Sequence, residues 1–201
     1  MAPDAQDLRQ WMFKYRSYTP LPFLVIMVLF ARPTVGSLLA GFCVLALGEA
    51  FRFWGVSIAG SETRTTGGVG GTYLITNGPF AHVRNPLYLG NILMYTGLGI
   101  MSLALFPWML IIAIGWFFFQ YSLIITSEEV YLARRFGEAY ERYRGAVRRF
   151  VPRLTPYISQ EPPAKGVDLK EGLASERRTL QAITLVTLLL VVIYLVRETG
   201  G

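Results

Sequence analysis

The stretch Gly71-Thr-Tyr-Leu-Ile-Thr-Asn-Gly-Pro-Phe-Ala-His-Val-Arg-Asn-Pro-Leu-Tyr-Leu-Gly90 decides how this chain is organised, because it is a polar, turn-forming segment between two long apolar runs. Asn77-Gly78-Pro79 predicts a turn, since glycine and asparagine tolerate positive φ and proline fixes φ at about −65°. Asn85-Pro86 predicts the start of a helix, because proline suits a first helical turn. Backbone N–H groups, Arg84, Asn85 and Tyr88 should therefore gather at the mouth of a buried helix, which suits a polar or anionic ligand. The alternative is a plain connecting loop.

Composition points to an integral membrane protein, since 53% of the residues are hydrophobic and only 16% are charged. The single cysteine, Cys43, excludes a disulfide framework, and with one histidine, His82, metal catalysis is not expected. The net charge of +6 does not indicate a nucleic-acid partner, because the arginines lie beside hydrophobic runs rather than in a free basic domain.

Five apolar runs predict an all-α, polytopic helical bundle with about five transmembrane helices. The first run is shorter than the roughly 20 residues that a span needs. Pro20 and Pro22 nevertheless argue against a signal peptide, so we expect a short span. Gly90, Gly97 and Gly99 should allow a neighbouring helix to come close. The third and fourth runs meet at Phe106-Pro107 and should form an antiparallel hairpin. The predicted spans are residues 21–31, 37–59, 86–106, 107–126 and 179–196.

After the hairpin, residues 127–150 combine apolar residues at helical spacing with many arginines, which predicts a cytosolic amphipathic helix on the membrane surface, interrupted near Gly137 or Gly145. Residues 155–178 have the composition of a linker. The motif Gly67-Gly-Val-Gly-Gly71 does not predict a dinucleotide site, because the third glycine and a preceding strand are missing. The expected units are an N-terminal segment with two spans (1–59), a core with the hairpin (60–154), a linker (155–178) and a last span (179–201).

Glu49 and Arg52 stand three residues apart within the second predicted span, close enough to meet on one helix face. Ionisable residues at that depth are functional candidates. An ion pair that reaches the membrane surface is an equally good interpretation.

Three motifs together resemble those of the integral-membrane methyltransferases of the isoprenylcysteine carboxyl methyltransferase and phospholipid methyltransferase families. They are Gly78-Pro-Phe-Ala-His-Val-Arg-Asn-Pro-Leu-Tyr-Leu-Gly90, then Glu128-Glu-Val-Tyr-Leu132 with Phe136-Gly-Glu-Ala-Tyr-Glu-Arg-Tyr143, and finally Arg149-Phe-Val-Pro152. The resemblance covers residues 51–152, about half of the chain. It implies a methyltransferase that holds S-adenosylmethionine between the loop, the helix after it and the helix after the hairpin, without a Rossmann domain.

The resemblance also implies which residues hold the cofactor. Glu128 would be its acidic partner; helical geometry alone does not choose between Glu128 and Glu129. The family usually has a histidine where this chain has Asn85, which keeps a donor and an acceptor but has no ring to titrate. His82 is the alternative substitute. The remaining implied cofactor residues are Thr72, Tyr73, Leu74, Ile75, Phe80, Pro86, Leu87, Tyr88 and Gly90, with Arg84 and Arg149 as nearby basic groups.

The expected function is methyl transfer to a lipophilic acceptor in the membrane, with Arg84, Glu49 and Arg52 as catalytic candidates. A carboxylate or thiolate acceptor needs no base, whereas an amine must lose a proton, which Glu49 or Glu129 could take. The alternatives are a phospholipid-amine N-methyltransferase, a small-thiol methyltransferase and a noncatalytic membrane protein.

Charge counting places the N-terminus and the catalytic loop in the cytosol, with seventeen of the nineteen lysines and arginines on that side. The acceptor should enter by a lateral portal beside the helices that start at Ser37 and Pro86, and its head group should lie near Glu49 and Arg52.

Overall fold

The computed structural model describes residues 11–60, 73–160, 162 and 166–199, and within these ranges it contains helices and no strand. The prediction of an all-α fold is therefore confirmed for the described part of the chain. Thr72, which the resemblance assigns to the cofactor, lies outside the described residues. The helices are α1 (Leu21–Leu29), α2 (Val35–Ala59), α3 (Pro86–Ser102), α4 (Trp108–Ala146) and α5 (Leu169–Thr199), and a short 3-10 helix covers Gly78–Ala81.

Three of these helices, α2, α4 and α5, are long and apolar enough to cross a membrane. The other two are shorter than a usual span of about 20 residues: α1 has 9 residues and α3 has 17. The predicted spans at residues 37–59, 107–126 and 179–196 thus fall on full-length helices. The count of five spans stays a prediction.

The N-terminal segment, defined as residues 11–20, is helical at 11–15 and forms turns at 16–20 before α1 begins. The break follows from proline chemistry, because Pro20 flanks the start of α1 and Pro22 occupies its first turn, where a missing N–H costs nothing. At the other end of α1, the Arg32 N–H donates to the Ser102 carbonyl (2.8 Å) and Arg197 Nη1 donates to the Ala31 carbonyl (2.9 Å). The C-terminal ends of α1, α3 and α5 therefore meet at one end of the bundle.

Helices α2 and α3 pack against each other through glycines, as predicted for Gly90 and Gly97. A Cβ on Gly97 would lie 2.6 Å from the Gly41 carbonyl oxygen, and one on Gly48 would lie 2.7 Å from the Gly90 carbonyl oxygen. Only the absence of a side chain allows the two backbones to come this close.

Helix α4 continues well beyond the apolar run, so the predicted boundary at residues 126 and 127 between a span and a separate amphipathic helix is wrong. Residues 127–136 contain no glycine or proline, and a polar sequence without such breakers simply extends the helix. The predicted interruption is found at Gly137, whose φ of 52° is favourable only for glycine. Beyond it, Tyr140 and Tyr143 turn back and are buried in a small apolar cluster.

Helix α5 begins at Leu169, inside the segment predicted as a linker, which corrects the linker boundary at 178. Asp168 explains this start, because its Oδ1 accepts hydrogen bonds from the N–H groups of Lys170 and Glu171 (both 2.9 Å) and so caps the helix. The Asp168 N–H also donates to the Ser57 carbonyl (2.7 Å), which attaches the first turn of α5 to the end of α2.

Candidate functional site

A cavity of about 840 Å³ lies at the end of the bundle where α2 ends and α3 begins. Along α3 its lining changes from the polar residues Asn85 and Tyr88 to the apolar residues Met94 and Leu98. The N-terminal segment, α2, α4 and α5 also contribute to its wall. A ligand with one polar and one apolar part would therefore find both environments in the same cavity.

Most of the residues that the sequence assigns to the site do line this cavity. Three described ones do not: Glu49, Gly90 and Arg149 are absent from the lining. Gly90 instead faces α2, because a Cβ there would lie 2.7 Å from the Gly48 carbonyl oxygen. The assigned residues that line the cavity are Arg52, Tyr73, Leu74, Ile75, Phe80, Arg84, Asn85, Pro86, Leu87, Tyr88, Glu128 and Glu129.

Glu128 presents its carboxylate to the cavity from α4. Its Oε1 accepts a hydrogen bond from the Tyr88 hydroxyl of α3 (2.7 Å), and the Tyr88 ring lies against Tyr121 with the ring centroids 4.7 Å apart. Among the described residues it takes part in no ion pair. Glu128 is therefore an oriented hydrogen-bond acceptor with no guanidinium group of the described residues within ion-pair distance, although the charge of Arg16, which lines the same cavity, also acts on it.

Glu129, the next residue, is bound on both sides by guanidinium groups and is only 7% exposed. Arg84 Nη2 donates to its Oε1 (2.8 Å), while Arg149 donates from Nε to Oε1 (2.8 Å) and from Nη2 to Oε2 (2.5 Å). These hydrogen bonds to Glu129 raise the pKa of the Arg149 guanidinium. Glu129 is thus held by two arginines, whereas Glu128 is bound by the Tyr88 hydroxyl, a difference that helical geometry alone did not predict.

Arg84 joins the loop before α3 to the end of α4. Besides Glu129, it donates from Nη1 to the carbonyl oxygens of Arg144 (2.7 Å) and Val147 (2.8 Å). Its backbone N–H donates to the Arg148 carbonyl (2.9 Å). Arg84 therefore shares the Glu129 carboxylate with Arg149, and its hydrogen bonds to Glu129, Arg144 and Val147 hold the wall of the cavity in place.

Asn85 and His82, the two candidates for the family's histidine position, have different surroundings. Asn85 lines the cavity and donates from Nδ2 to the Arg149 carbonyl (3.3 Å). His82 does not line it; its Nδ1 lies 2.8 Å from the Arg153 carbonyl oxygen, and the Arg153 N–H donates back to the His82 carbonyl (2.9 Å). His82 therefore fastens the segment after α4 to the outside of the loop.

Arg52 is paired with Glu176 of α5, not with Glu49 as the three-residue spacing suggested. Nη2 and Nε of Arg52 donate to Glu176 Oε1 (2.7 Å) and Oε2 (3.3 Å), and Nη1 donates to Asn91 Oδ1 (2.5 Å). Glu176 is completely buried. Both Glu49 carboxylate oxygens are buried without a hydrogen-bond partner among the described residues. The Arg52–Glu176 ion pair could not be predicted from the sequence, because Glu176 lies in the predicted linker, far from Arg52 along the chain.

Sequence reasoning also missed cavity residues in elements outside residues 51–152. The main ones are Arg16 in the N-terminal segment and Arg178 in α5. Residues 11–20 read as an interfacial segment because aromatic and basic residues alternate there, and no pattern in them indicated a binding role.

A family profile described as phospholipid methyltransferase matches residues 37–139, about half of the chain. The chain is 37% identical over 79 residues to the protein-S-isoprenylcysteine O-methyltransferase of Schizosaccharomyces pombe, which covers 39% of the chain and 33% of that protein. It is 35% identical over 89 residues to the nickel-cobalt-cadmium resistance protein NccN of Alcaligenes xylosoxydans, covering 44% of the chain and 40% of NccN.

A third relative, the cobalt-zinc-cadmium resistance protein CzcN of Cupriavidus metallidurans, is 32% identical over 120 residues, covering 58% of the chain and 50% of CzcN. The chain thus spans a third to a half of the length of the curated relatives that it matches. Comparison with solved structures gave no match. The profile covers α2, the loop and α3, and ends in α4 just beyond Gly137, so the N-terminal segment and α5 lie outside it.

Proposed function

The chain belongs to the phospholipid methyltransferase family, and from this membership we propose that it is a membrane enzyme that transfers a methyl group from S-adenosylmethionine to a lipophilic acceptor. The membership confirms the resemblance seen in the sequence motifs. The observation that carries the proposal is the cavity, in which the polar pair Tyr88 and Glu128 shares one space with apolar residues of α3 and α5. A charged donor and a hydrocarbon-bearing acceptor need such a combination.

The residues present fit S-adenosylmethionine, which carries cationic groups and a carboxylate and, when bound, supplies an electrophilic methyl group. Glu128 offers a half-buried carboxylate that is bound to no guanidinium in the described part of the chain. The first turn of α3, which starts at Pro86, offers backbone N–H groups without helical partners. We propose that these groups hold the polar parts of the cofactor, while Leu74, Phe80 and Leu87 supply apolar walls.

In this proposal the chain accelerates the reaction mainly by positioning. Tyr88 orients Glu128, and the Arg84–Glu129–Arg149 cluster holds the loop against α4, so the ligand groups are in place before binding. The apolar walls exclude water from the reacting groups.

The carboxylates that line the cavity favour an acceptor that needs no base. Glu129 and Glu176 are held by arginines, and Glu128 is assigned to the cofactor. Glu49 has an unpartnered carboxyl group within the described residues but does not line the cavity. A carboxylate or thiolate nucleophile requires no proton removal, so we favour an isoprenylcysteine carboxyl methyltransferase-like reaction over amine methylation. Arg52 lines the wall where polar lining gives way to apolar lining, which suits a place near the acceptor head group.

We further propose that the end of the bundle with the cavity faces the cytosol. The support is the distribution of charge, since the N-terminal segment, the loop and residues 127–178 contain most of the lysines and arginines. The water-soluble methyl donor would reach the cavity from that side.

The test uses the purified protein in lipid nanodiscs with methyl-labelled S-adenosylmethionine. We expect label transfer to a prenylated, N-acylated cysteine with far higher catalytic efficiency than to its water-soluble S-methyl analogue, because each buried methylene contributes about 0.8 kcal/mol. Equal efficiency for both would refute a lipophilic acceptor. Mass shifts in a labelled membrane extract would then identify the natural acceptor.

Calorimetry tests the cofactor assignment separately. Glu128→Gln should weaken donor binding about tenfold to a hundredfold, corresponding to the roughly 1–3 kcal/mol expected for a lost charge-assisted contact. Glu138→Gln is the matched control on the same helix, because that carboxylate is 95% exposed. Unchanged donor affinity in the Glu128→Gln variant would refute the assignment of Glu128 to the cofactor site.

A further inference from the structure

Four arginines line the cavity, and they fall into two kinds. Arg52 is paired with Glu176, and Arg84 is paired with Glu129, which it shares with Arg149. Within the part of the chain that the structure describes, Arg16 and Arg178 take part in no ion pair. Both come from elements outside the region that the family profile matches. The charge of Arg16 also acts on the Glu128 carboxyl group in the same cavity, but neither arginine has a carboxylate within ion-pair distance among the described residues. Two such cations at one cavity favour an anionic ligand.

Arg16 lies where the helical backbone of the N-terminal segment is interrupted. Its Nη1 donates to the Phe13 carbonyl (3.0 Å), and its guanidinium lies over the Phe13 ring at 3.9 Å from the centroid. Arginine has five N–H donors in a planar fork, so these contacts orient the group and leave donors for a ligand. Arg16 lines the cavity at this interruption of the helix.

Helix α5 presents one face to the same cavity. Thr179, Ala182, Ile183 and Val186 line it at the spacing of a single helix face. Leu24 of α1 lines it as well.

The cavity reaches the molecular surface at the N-terminal segment and α5, and also at Tyr73 in the loop before α3. Ser17, Arg178 and Ala182 are exposed although they line it. The bond from Arg197 to the Ala31 carbonyl joins the last turn of α5 to the end of α1, so the two helices run in the same direction. Arg16 and Arg178 each precede the parts of α1 and α5 that run in the same direction, and both line the cavity.

We propose that this opening admits the acceptor and selects it by charge: Arg16 and Arg178 bind the anionic head group of a long-chain amphiphile, whose apolar chain lies along Leu24, Ile183 and Val186. Guanidinium groups bind carboxylates and phosphates by paired N–H donors, and both anions fit. The proposal rests on the proposed function for calling the ligand an acceptor. This opening, at the N-terminal segment and α5, differs from the portal predicted beside the helices that start at Ser37 and Pro86.

The experiment measures binding of labelled probes to the full protein in phosphatidylcholine nanodiscs. The probes are palmitate, hexadecyl phosphate, hexadecanol and inorganic phosphate. We expect the two anionic amphiphiles to bind at least about tenfold more tightly than the neutral alcohol and the phosphate without a chain, since one good charge-assisted contact corresponds to about that factor. A preference for palmitate or for hexadecyl phosphate identifies the anion as carboxylate or phosphate, and either result supports the opening.

Arginine variants test which residues bind the anionic head group of the probes. Arg16→Gln and Arg178→Gln should each weaken binding of the anionic probes about tenfold and leave hexadecanol binding unchanged, whereas Arg178→Lys should retain part of the binding. Arg177→Gln is the control, because Arg177 is exposed and does not line the cavity. Unchanged thermal midpoints verify that the variants are folded.

Equal binding of hexadecanol and the anions, or an equal loss in Arg177→Gln, would overturn the proposal. The result is separable from the proposed function. Anion binding through both arginines without any S-adenosylmethionine binding would support the opening and refute the methyltransferase assignment. Methyl transfer that does not depend on the charge of the acceptor head group would support the methyltransferase assignment and refute the proposed role of the opening.

Discussion

Replacing Glu129 by glutamine should destabilise the protein strongly, because two guanidinium groups then lose their shared counterion. Glu129 is 7% exposed and accepts three hydrogen bonds from Arg84 and Arg149. Removing one partner of a buried ion pair costs about 3–5 kcal/mol. Glutamine still accepts a hydrogen bond, and the Arg149 side chain is 36% exposed and can be rehydrated. We therefore expect a loss of unfolding free energy at the lower end of this range, about 3 kcal/mol.

The measurement is the thermal midpoint of unfolding in one fixed detergent. For a chain of this size, about 3 kcal/mol corresponds to a decrease of roughly 6–12 °C. Glu138→Gln is the control: its carboxylate lies on the same helix, is 95% exposed and pairs with Arg142 at 3.7 Å. That substitution should leave the midpoint unchanged within about 2 °C.

Equal shifts in the two variants would refute the reasoning. A second comparison separates uncompensated charge from lost hydrogen bonds. If charge is the cause, Glu129→Gln with Arg149→Gln should be no less stable than Glu129→Gln alone, because one unpaired cation has gone. Fully additive losses would show that the hydrogen bonds, not the charges, carry the stability.

Three further predictions concern packing, the loop and orientation. Gly97→Ala should destabilise the protein by about 1–3 kcal/mol in unfolding assays because its Cβ would meet backbone atoms of α2, whereas Gly115→Ala, with nothing within 4 Å, should be neutral or slightly stabilising. His82→Ala should leave the donor affinity unchanged in calorimetry, because His82 does not line the cavity; a tenfold loss would make it the substitute for the family's histidine. Cysteines placed at Thr66 and Gly145 should be labelled from the same side of the membrane, and labelling from opposite sides would overturn the charge-based orientation.

The fold was predictable where local chemistry decides it. Apolar runs identified α2 and the membrane part of α4, and the helix start at Pro86 followed from proline alone. The boundary after residue 126 was wrong because a change from apolar to polar residues marks a membrane surface, not a helix end. The start of α5 was missed because one capping residue, Asp168, outweighed a composition typical of linkers.

The site was predictable only as far as the motifs extend. Glu128 and Tyr88 come from the two matching blocks, and a hydrogen bond across two helices joins them at the cavity. Their role in holding the cofactor stays a prediction. Glu176 and Arg16 belong to segments without motifs, and only the folded chain brings them to the cavity. Spacing suggested Glu49 as the partner of Arg52, but a residue on another helix supplied better geometry, which no local pattern reveals.

The short helix α3 has a consequence for how the protein responds to its lipids. None of its residues from Pro86 to Ser102 is exposed, so other helices surround it and bilayer thickness does not set its length. Hydrophobic mismatch therefore acts on the outer helices, above all on α5, of whose apolar window only 6% is buried. A thicker or thinner bilayer changes the tilt of such a helix at modest cost. The side of the cavity formed partly by α5, where we propose that the acceptor binds, is then sensitive to lipid composition, while the side on α3 and α4, where we propose that the cofactor binds, is insulated from it.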